Sequence, residues 1–141
     1  MKFILKNAEN VFVRRYREED FRQIQEMNSA EGWSNLVEKN EDTKEAWNNS
    51  TVAFSVENAD GDVIACVRGL TDTRITLYIA ELMVDKKYRG LGIGKKLLRF
   101  VHDQYPSTRM EMLATSSSQT YYKEQGYRPF YGYRKTYEEQ L

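Results

Sequence analysis

Ile75-Thr76-Leu77-Tyr78-Ile79-Ala80-Glu81-Leu82-Met83-Val84 is apolar at nearly every position, and it runs through Asp85-Lys86-Lys87 into Tyr88-Arg89-Gly90-Leu91-Gly92-Ile93-Gly94-Lys95-Lys96. An apolar run of this kind predicts a strand covered on both faces, at the centre of a sheet. Beyond the glycines, Ile93, Leu97, Leu98 and Val101 recur at helical spacing until Tyr105-Pro106 ends the helix. A strand that passes directly through glycines into a helix leaves unpaired N–H groups at the positive end of the helix dipole, a ready site for phosphate. Gly90, Gly92 and Gly94 let the backbone approach such a ligand closely. Lys95 and Lys96 stand where the dipole disfavours cations, and a bound anion explains that placement better than helix stability does. The other reading of the same residues is a tight turn with solvated lysines.

Working outward, Val11 to Tyr16 predicts a first strand, and Glu18 to Met27 a helix with Phe21, Ile24 and Met27 on its inner face. The stretch from Asn28 to Ser50 holds Gly32, Trp33 and Trp47, with Asp42 or Thr43 placed to cap a short helix. Thr51 to Glu57 and Val63 to Leu70 form an antiparallel pair around Asp60-Gly61, and Thr71-Asp72-Thr73 turns the chain into the central strand. Downstream, Met110 to Ala114 is a further strand. Ser116 or Ser117 caps a helix that Gly126 closes, and Tyr127 to Thr136 adds one or two terminal strands. No linker or repeat divides the chain, so residues 1–141 are expected to be a single domain of mixed α/β class.

Composition narrows the function. The 141 residues carry 21 Lys plus Arg against 21 Asp plus Glu, so no whole-chain field favours nucleic acid or an anionic membrane. With one cysteine, Cys66, and one histidine, His102, neither an internal disulfide nor a metal centre is expected, and a reducing compartment fits best. No run has the length of a signal peptide core or a membrane span, so the expected location is the cytoplasm.

Two nucleotide motifs fail on spacing. A dinucleotide fingerprint starting at Gly90 would require glycine where Lys95 stands, and a P-loop needs more residues before its Gly-Lys and a hydroxyl where Lys96 stands. Arg89-Gly90-Leu91-Gly92-Ile93-Gly94 instead resembles the Arg/Gln-x-x-Gly-x-Gly/Ala acyl-CoA loop of the GNAT acetyltransferase superfamily. The preceding Glu81 to Tyr88 looks like that family's central strand and its link to the loop. Tyr121-Tyr122-Lys123-Glu124-Gln125-Gly126-Tyr127 resembles the segment that closes its last helix. The resemblance implies a central, mostly antiparallel sheet of six to seven strands with about four helices, in the order β-α-α-β-β-β-α-β-α-β. It implies acetyl-CoA as co-substrate, held by Leu82, Met83, Val84, Arg89, Gly90, Leu91, Gly92, Ile93, Gly94, Lys95, Ser118 and Tyr121, and no metal. Three positions depart from the pattern: Lys86 stands where proline is common, and Thr115 and Ser118 where asparagine and alanine often begin the last helix.

Acetyl transfer needs a neutral amine, a stabilised oxyanion and a proton for the departing thiolate. Tyr122 matches the family's tyrosine acid; with a reference pKa of about 10, against about 8.5 for a thiol, a phenol keeps its proton at neutral pH and can donate it to the departing thiolate. Strict alternation along the central strand places Glu81 with Ile75, Leu77, Ile79 and Met83 on an apolar face, where a carboxylate must be paired or functional. Two roles stay open for it, general base or ion-pair partner of Arg68. A backbone N–H of Met83 or Val84 is the expected oxyanion donor. Trp33, Trp47 and Arg68 are candidate acceptor contacts, for a small-molecule or peptide amine. His102 and Cys66 are expected to be structural. A non-catalytic acyl-CoA-binding module is the competing function, and a homodimer through aromatic strands near Phe130, Tyr131 and Tyr133 is a further expectation.

Overall fold

Six strands form one sheet in the order of the sequence: β1 (Lys2–Ile4), β2 (Asn10–Arg15), β3 (Val52–Glu57), β4 (Val63–Thr71), β5 (Thr76–Val84) and β6 (Arg109–Met112). The computed structural model describes residues 1–141, which fall into two units, Met1–Glu111 and Met112–Leu141. β1 to β5 pair antiparallel in succession. β6 starts beside the start of β5, where Arg109 N–H donates to Ile75 O at 2.8 Å. Only a parallel course keeps so placed a strand in the sheet, and α4 (Ile93–Gln104) is the crossover this requires. α1 (Phe21–Ala30), α2 (Ser34–Glu38) and α3 (Asn40–Asn49) lie between β2 and β3 in sequence, and α5 (Gln119–Glu124) belongs to the second unit.

Cross-strand partners point to the same side of an antiparallel ladder, so the registers sort the faces. Cys66 opposes Met83. Both belong to the cluster in which Phe21, Ile24 and Met27 of α1 and Trp47 of α3 are buried. The opposite face carries Phe54, which meets Phe100 of α4 edge-on at 5.2 Å, as Phe3 does at 6.3 Å. Ile93, Leu97, Leu98 and Val101 of α4 are buried, as their spacing predicts. The first unit thus has helices on both faces of its sheet, and the helical periods of α1 and α4 fix which sides they bury.

One prediction about β5 fails for a specific reason. Arg68 opposes Glu81 but Gly69 opposes Ile79, so Ala80 is an extra residue without a partner, a β-bulge. The bulge reverses the alternation. Glu81 and Met83 face the α1–α3 layer, while Leu77 and Ile79 face the α4 layer, and Ile75 precedes the strand and is exposed. Gly69 belongs to the same device: a Cβ there would meet the Tyr78 carbonyl oxygen at 2.5 Å.

Other differences are local. Lys2–Ile4 is a strand that the sequence reading passed over. The 28–50 stretch holds two helices, α2 and α3. Thr43 does not cap; it is buried inside α3, and its hydroxyl donates to Leu36 O at 2.7 Å and Lys39 O at 2.8 Å. α5 begins at Gln119, and Gly126 follows it with φ of 90°, the left-handed closure its position predicts. The expected strands over Tyr127 to Thr136 do not form. Pro129 lacks a donor, Arg128 before it is restricted, and no side chain from 128 to 137 is buried to hold the segment to a sheet. The strand-edge basis for a homodimer falls with them.

Candidate active site

β5 ends at the edge of the sheet where β4 begins, where β3 ends and where the β1–β2 turn lies. Past Val84 the chain is fastened at each step. Asp85 N–H donates to Ile64 O at 2.8 Å, and the Asp85 carboxylate accepts the Lys87 N–H at 2.9 Å across a short 3-10 turn. The Tyr88 hydroxyl donates to Glu9 and accepts from the Asn58 amide, both at 3.2 Å. Arg89 donates to Val84 O at 3.1 Å and pairs with Glu31 at the end of α1. Its guanidinium therefore serves the loop's own architecture.

Gly90 and Gly92 follow with φ of 79° and 91°, which a side chain would strain, and Gly92 caps α4. No atom lies within 4 Å of a Cβ built at Gly90; at Gly92 the one neighbour is Lys6 Cε, at 3.9 Å. The N–H groups from Leu91 to Lys95 find no acceptor in the chain, and the first to be satisfied is that of Lys96, by Gly92 O at 3.1 Å. The result is an open row of donors at the positive end of a twelve-residue helix. Ile93 and Gly94 are buried beneath it, while Lys95 is exposed. Just upstream, β6 is only four residues long and begins opposite Ile75, so it stops short of Leu82 to Val84. On that side Leu82 and the Val84 N–H, which point away from β4, can pair with an extended ligand, while Val84 O is taken by Arg89.

Glu81 is 9% exposed, midway along β5. Arg68 Nε donates to its Oε2 at 2.5 Å, directly across the ladder, and Oε1 is buried without a partner. Arg68 also reaches the Ser50 hydroxyl at 3.4 Å. Ser50 lines a cleft of about 360 Å³ with Tyr16, Glu18, Trp47, Asn48 and Thr51, at the sheet end away from the glycines. Trp47 is 1% exposed and lies against Tyr16, the two rings tilted by 36° with centroids 5.0 Å apart, so it is a core residue that also borders the cleft. Burial, with Glu18, Asp20 and Glu19 nearby, pushes the Tyr16 phenol up to about 12. Trp33 stands exposed before α2 and does not join this cleft.

In the second unit, Tyr122 packs edge-on against Tyr121 at 5.2 Å and Tyr127 at 5.6 Å. Burial raises the Tyr122 phenol above its ordinary value, with Tyr121 adding to the effect, so it holds its proton firmly. Burial likewise takes Tyr127 to about 12. The Ser118 hydroxyl accepts the Thr115 N–H at 2.9 Å, closing the turn into α5.

His102 is spoken for by Thr108 O at 2.9 Å. Burial, then the charges of Glu81 and Asp20, push the Cys66 thiol well up, so it is no nucleophile. No group of three His, Cys, Asp or Glu side chains could hold a metal ion, and no helix is long and apolar enough to cross a membrane. Sequence reasoning missed Lys6 and the residues that pin the loop. Phe3-Ile4-Leu5 between lysines was the available sign of β1, whereas the pairing of Tyr88 with Glu9 and Asn58 left none.

A family model for an acetyltransferase (GNAT) domain matches residues 49–129. No curated protein sequence matches the chain. Among solved structures, a GNAT family acetyltransferase from Streptococcus pneumoniae is 18% identical with a TM-score of 0.69, covering 84% of this chain and 87% of its own. Glucosamine-6-phosphate N-acetyltransferase from Arabidopsis thaliana is 16% identical with a TM-score of 0.65, over 90% and 97%. An aminoglycoside acetyltransferase from an uncultured soil metagenomic sample, solved with sisomicin, is 18% identical with a TM-score of 0.63, over 89% and 95%. At such identities the likeness is one of fold.

Proposed function

Because the chain belongs to the GNAT acetyltransferase family, we propose that it moves the acetyl group of acetyl-CoA directly to a primary amine, with Glu81 as general base and Tyr122 as general acid. Members of this family carry out acyl transfer and typically use acetyl-CoA. The observation that carries the reading is the row of unpaired N–H groups from Leu91 to Lys95 at the head of α4, joined by one short turn to the end of β5, where β6 falls short. The two suit, in turn, a pyrophosphate and an amide-bearing arm. Leu82, Met83 and Val84 would hold the arm, and Gly90, Leu91, Gly92, Ile93, Gly94 and Lys95 the phosphates. Arg89 would shape the loop, and Ser118 and Tyr121 would complete the contacts.

The cofactor supplies an activated thioester. Glu81 Oε1, buried and without a partner, is the free lone pair for the amine's proton, and the N–H of Met83 or Val84 meets the oxyanion. Tyr122, kept protonated by burial, gives its proton to the leaving thiolate. The acceptor approaches through the cleft walled by Trp47, with Arg68 behind it against Ser50; Trp33 would act from the exposed turn before α2. Amines carried on sugars, the acceptors named for two structural neighbours, are the first class to screen. The matched segment runs across the boundary between the two units, which supports residues 1–141 acting as one domain, and a cytoplasmic site of action suits its lone unpaired cysteine.

One observation favours a second reading. Arg68 already neutralises Glu81, as in a CoA-binding module without turnover. Calorimetric titration with acetyl-CoA, followed by an amine screen, separates the two. The wild type should bind and Gly92→Glu should not. Glu81→Gln and Tyr122→Phe should each keep binding and lose about 100-fold or more in turnover. Binding without transfer to any amine would favour the module, and no binding by the wild type would remove both.

A further inference from the structure

The β1–β2 turn lies against the glycine loop. Lys6 N–H donates to Leu91 O at 3.4 Å, and Lys6 Cε stands 3.9 Å from the Cβ position of Gly92, which lays the lysine stem along the loop. The turn is built to hold it there. Leu5 is buried, Leu5 N–H donates to Glu9 O and Ala8 N–H to Leu5 O, both at 2.9 Å, and Ala8 takes a left-handed φ of 68° to close it. Glu9, the acid of the turn, is engaged with Asn7 and Tyr88. Lys6 makes no ion pair, and neither do Lys86, Lys87, Lys95 or Lys96 around the same loop, although the chain as a whole is neutral. Five unpaired ammonium groups beside the positive end of a helix repel one another and the dipole. A ligand with several negative charges turns that repulsion into affinity.

We propose that Lys6 is a phosphate-binding residue for the nucleotide part of a CoA thioester, supplied by an N-terminal turn that lies outside the segment matched to the family. The inference rests on acetyl-CoA being the co-substrate, and it adds a contact from β1–β2 to the donors of the loop. Lys6 is exposed apart from this contact, so its replacement spares the fold.

The test is calorimetric titration of acetyl-CoA and of 3′-dephospho-acetyl-CoA against wild type, Lys6→Gln, Lys6→Glu and the control Lys2→Gln, at low and high salt. Lys2 begins β1, at the end of the hairpin away from the loop. Lys6→Gln should raise the Kd about five- to tenfold at low salt, Lys6→Glu more, and Lys2→Gln not at all, with the differences shrinking as salt rises. A loss that vanishes with the dephospho compound assigns Lys6 to the 3′-phosphate, and a loss that persists assigns it to the pyrophosphate. Wild-type affinity in both Lys6 variants overturns the inference while leaving the proposed function standing. Failure of the wild type to bind acetyl-CoA removes both.

Discussion

Asp20 is the most heavily bonded side chain in the first unit. Arg14 meets it with two donors at 2.8 and 2.9 Å, the Ser55 hydroxyl donates at 2.8 Å and Arg17 N–H at 2.9 Å. It ties the entry of α1 to β2 and β3, beneath the helix layer that Glu81 faces. Burial pushes its carboxyl up, but the bonds from Arg14, Arg17 and Ser55 outweigh burial and leave it below its ordinary 3.8. A folded value below the unfolded one means that the stabilisation is complete above about pH 4 and is lost as pH falls through the folded value. Asp20→Asn, which takes from Arg14 its nearer carboxylate and leaves it only Glu57 at 3.2 Å, should cost about 1.5 to 3 kcal/mol at neutral pH. In urea titrations, its gap from the wild type should close below about pH 4.

Among the elements, the corner between α2 and α3 hangs on few bonds. The Thr43 hydroxyl bridges to Leu36 O and Lys39 O, and the Gln25 amide of α1 also reaches Leu36 O, at 3.0 Å. Thr43→Val keeps the shape and removes the donor. It should lower stability by about 1 to 2 kcal/mol and loosen the α2–α3 corner, seen as amide exchange faster than in the wild type in α2 and unchanged in α4. Here the limits of sequence reading are visible. α1 and α4 could be read because their buried residues repeat at helical spacing, and the glycine loop because its donors depend on residue type. The corner could not, since α2 buries no side chain and leaves no period to detect. Nor could the bulge, because register belongs to two strands at once and Ala80 looks the same in or out of it. So the glycine loop and the presence of Glu81 were legible, while the face Glu81 occupies and its contact with Arg68 as against a free base awaited the ladder.

For the molecule as a whole, the tail after Tyr127 has every side chain exposed, including Phe130, Tyr131, Tyr133 and Tyr137. Removing residues 128–141 exposes no buried side chain of their own, so the truncated chain should melt within about 2 °C of the full one by circular dichroism. A larger drop would mean that these aromatics contribute burial the exposed tail does not have.

The unpartnered residue at Ala80 makes the orientation of Glu81 a matter of counting. Its side chain is nearly irrelevant, because any residue that tolerates an extended, half-buried backbone can fill the place. Its want of a partner is not. One residue added to β4 between Arg68 and Gly69 would give Ala80 a partner, restore strict alternation along β5 and put Glu81 on the same face as Leu77 and Ile79. Heritable change therefore meets this part of the molecule unequally: substitutions at position 80 can drift, and even its loss leaves Glu81 opposite Arg68, while a one-residue insertion in the facing strand sets one end of the ladder on the wrong side of the sheet. Descendants that keep the chemistry must keep Glu81 opposite Arg68 and are free to change the letter that fills the place beside it.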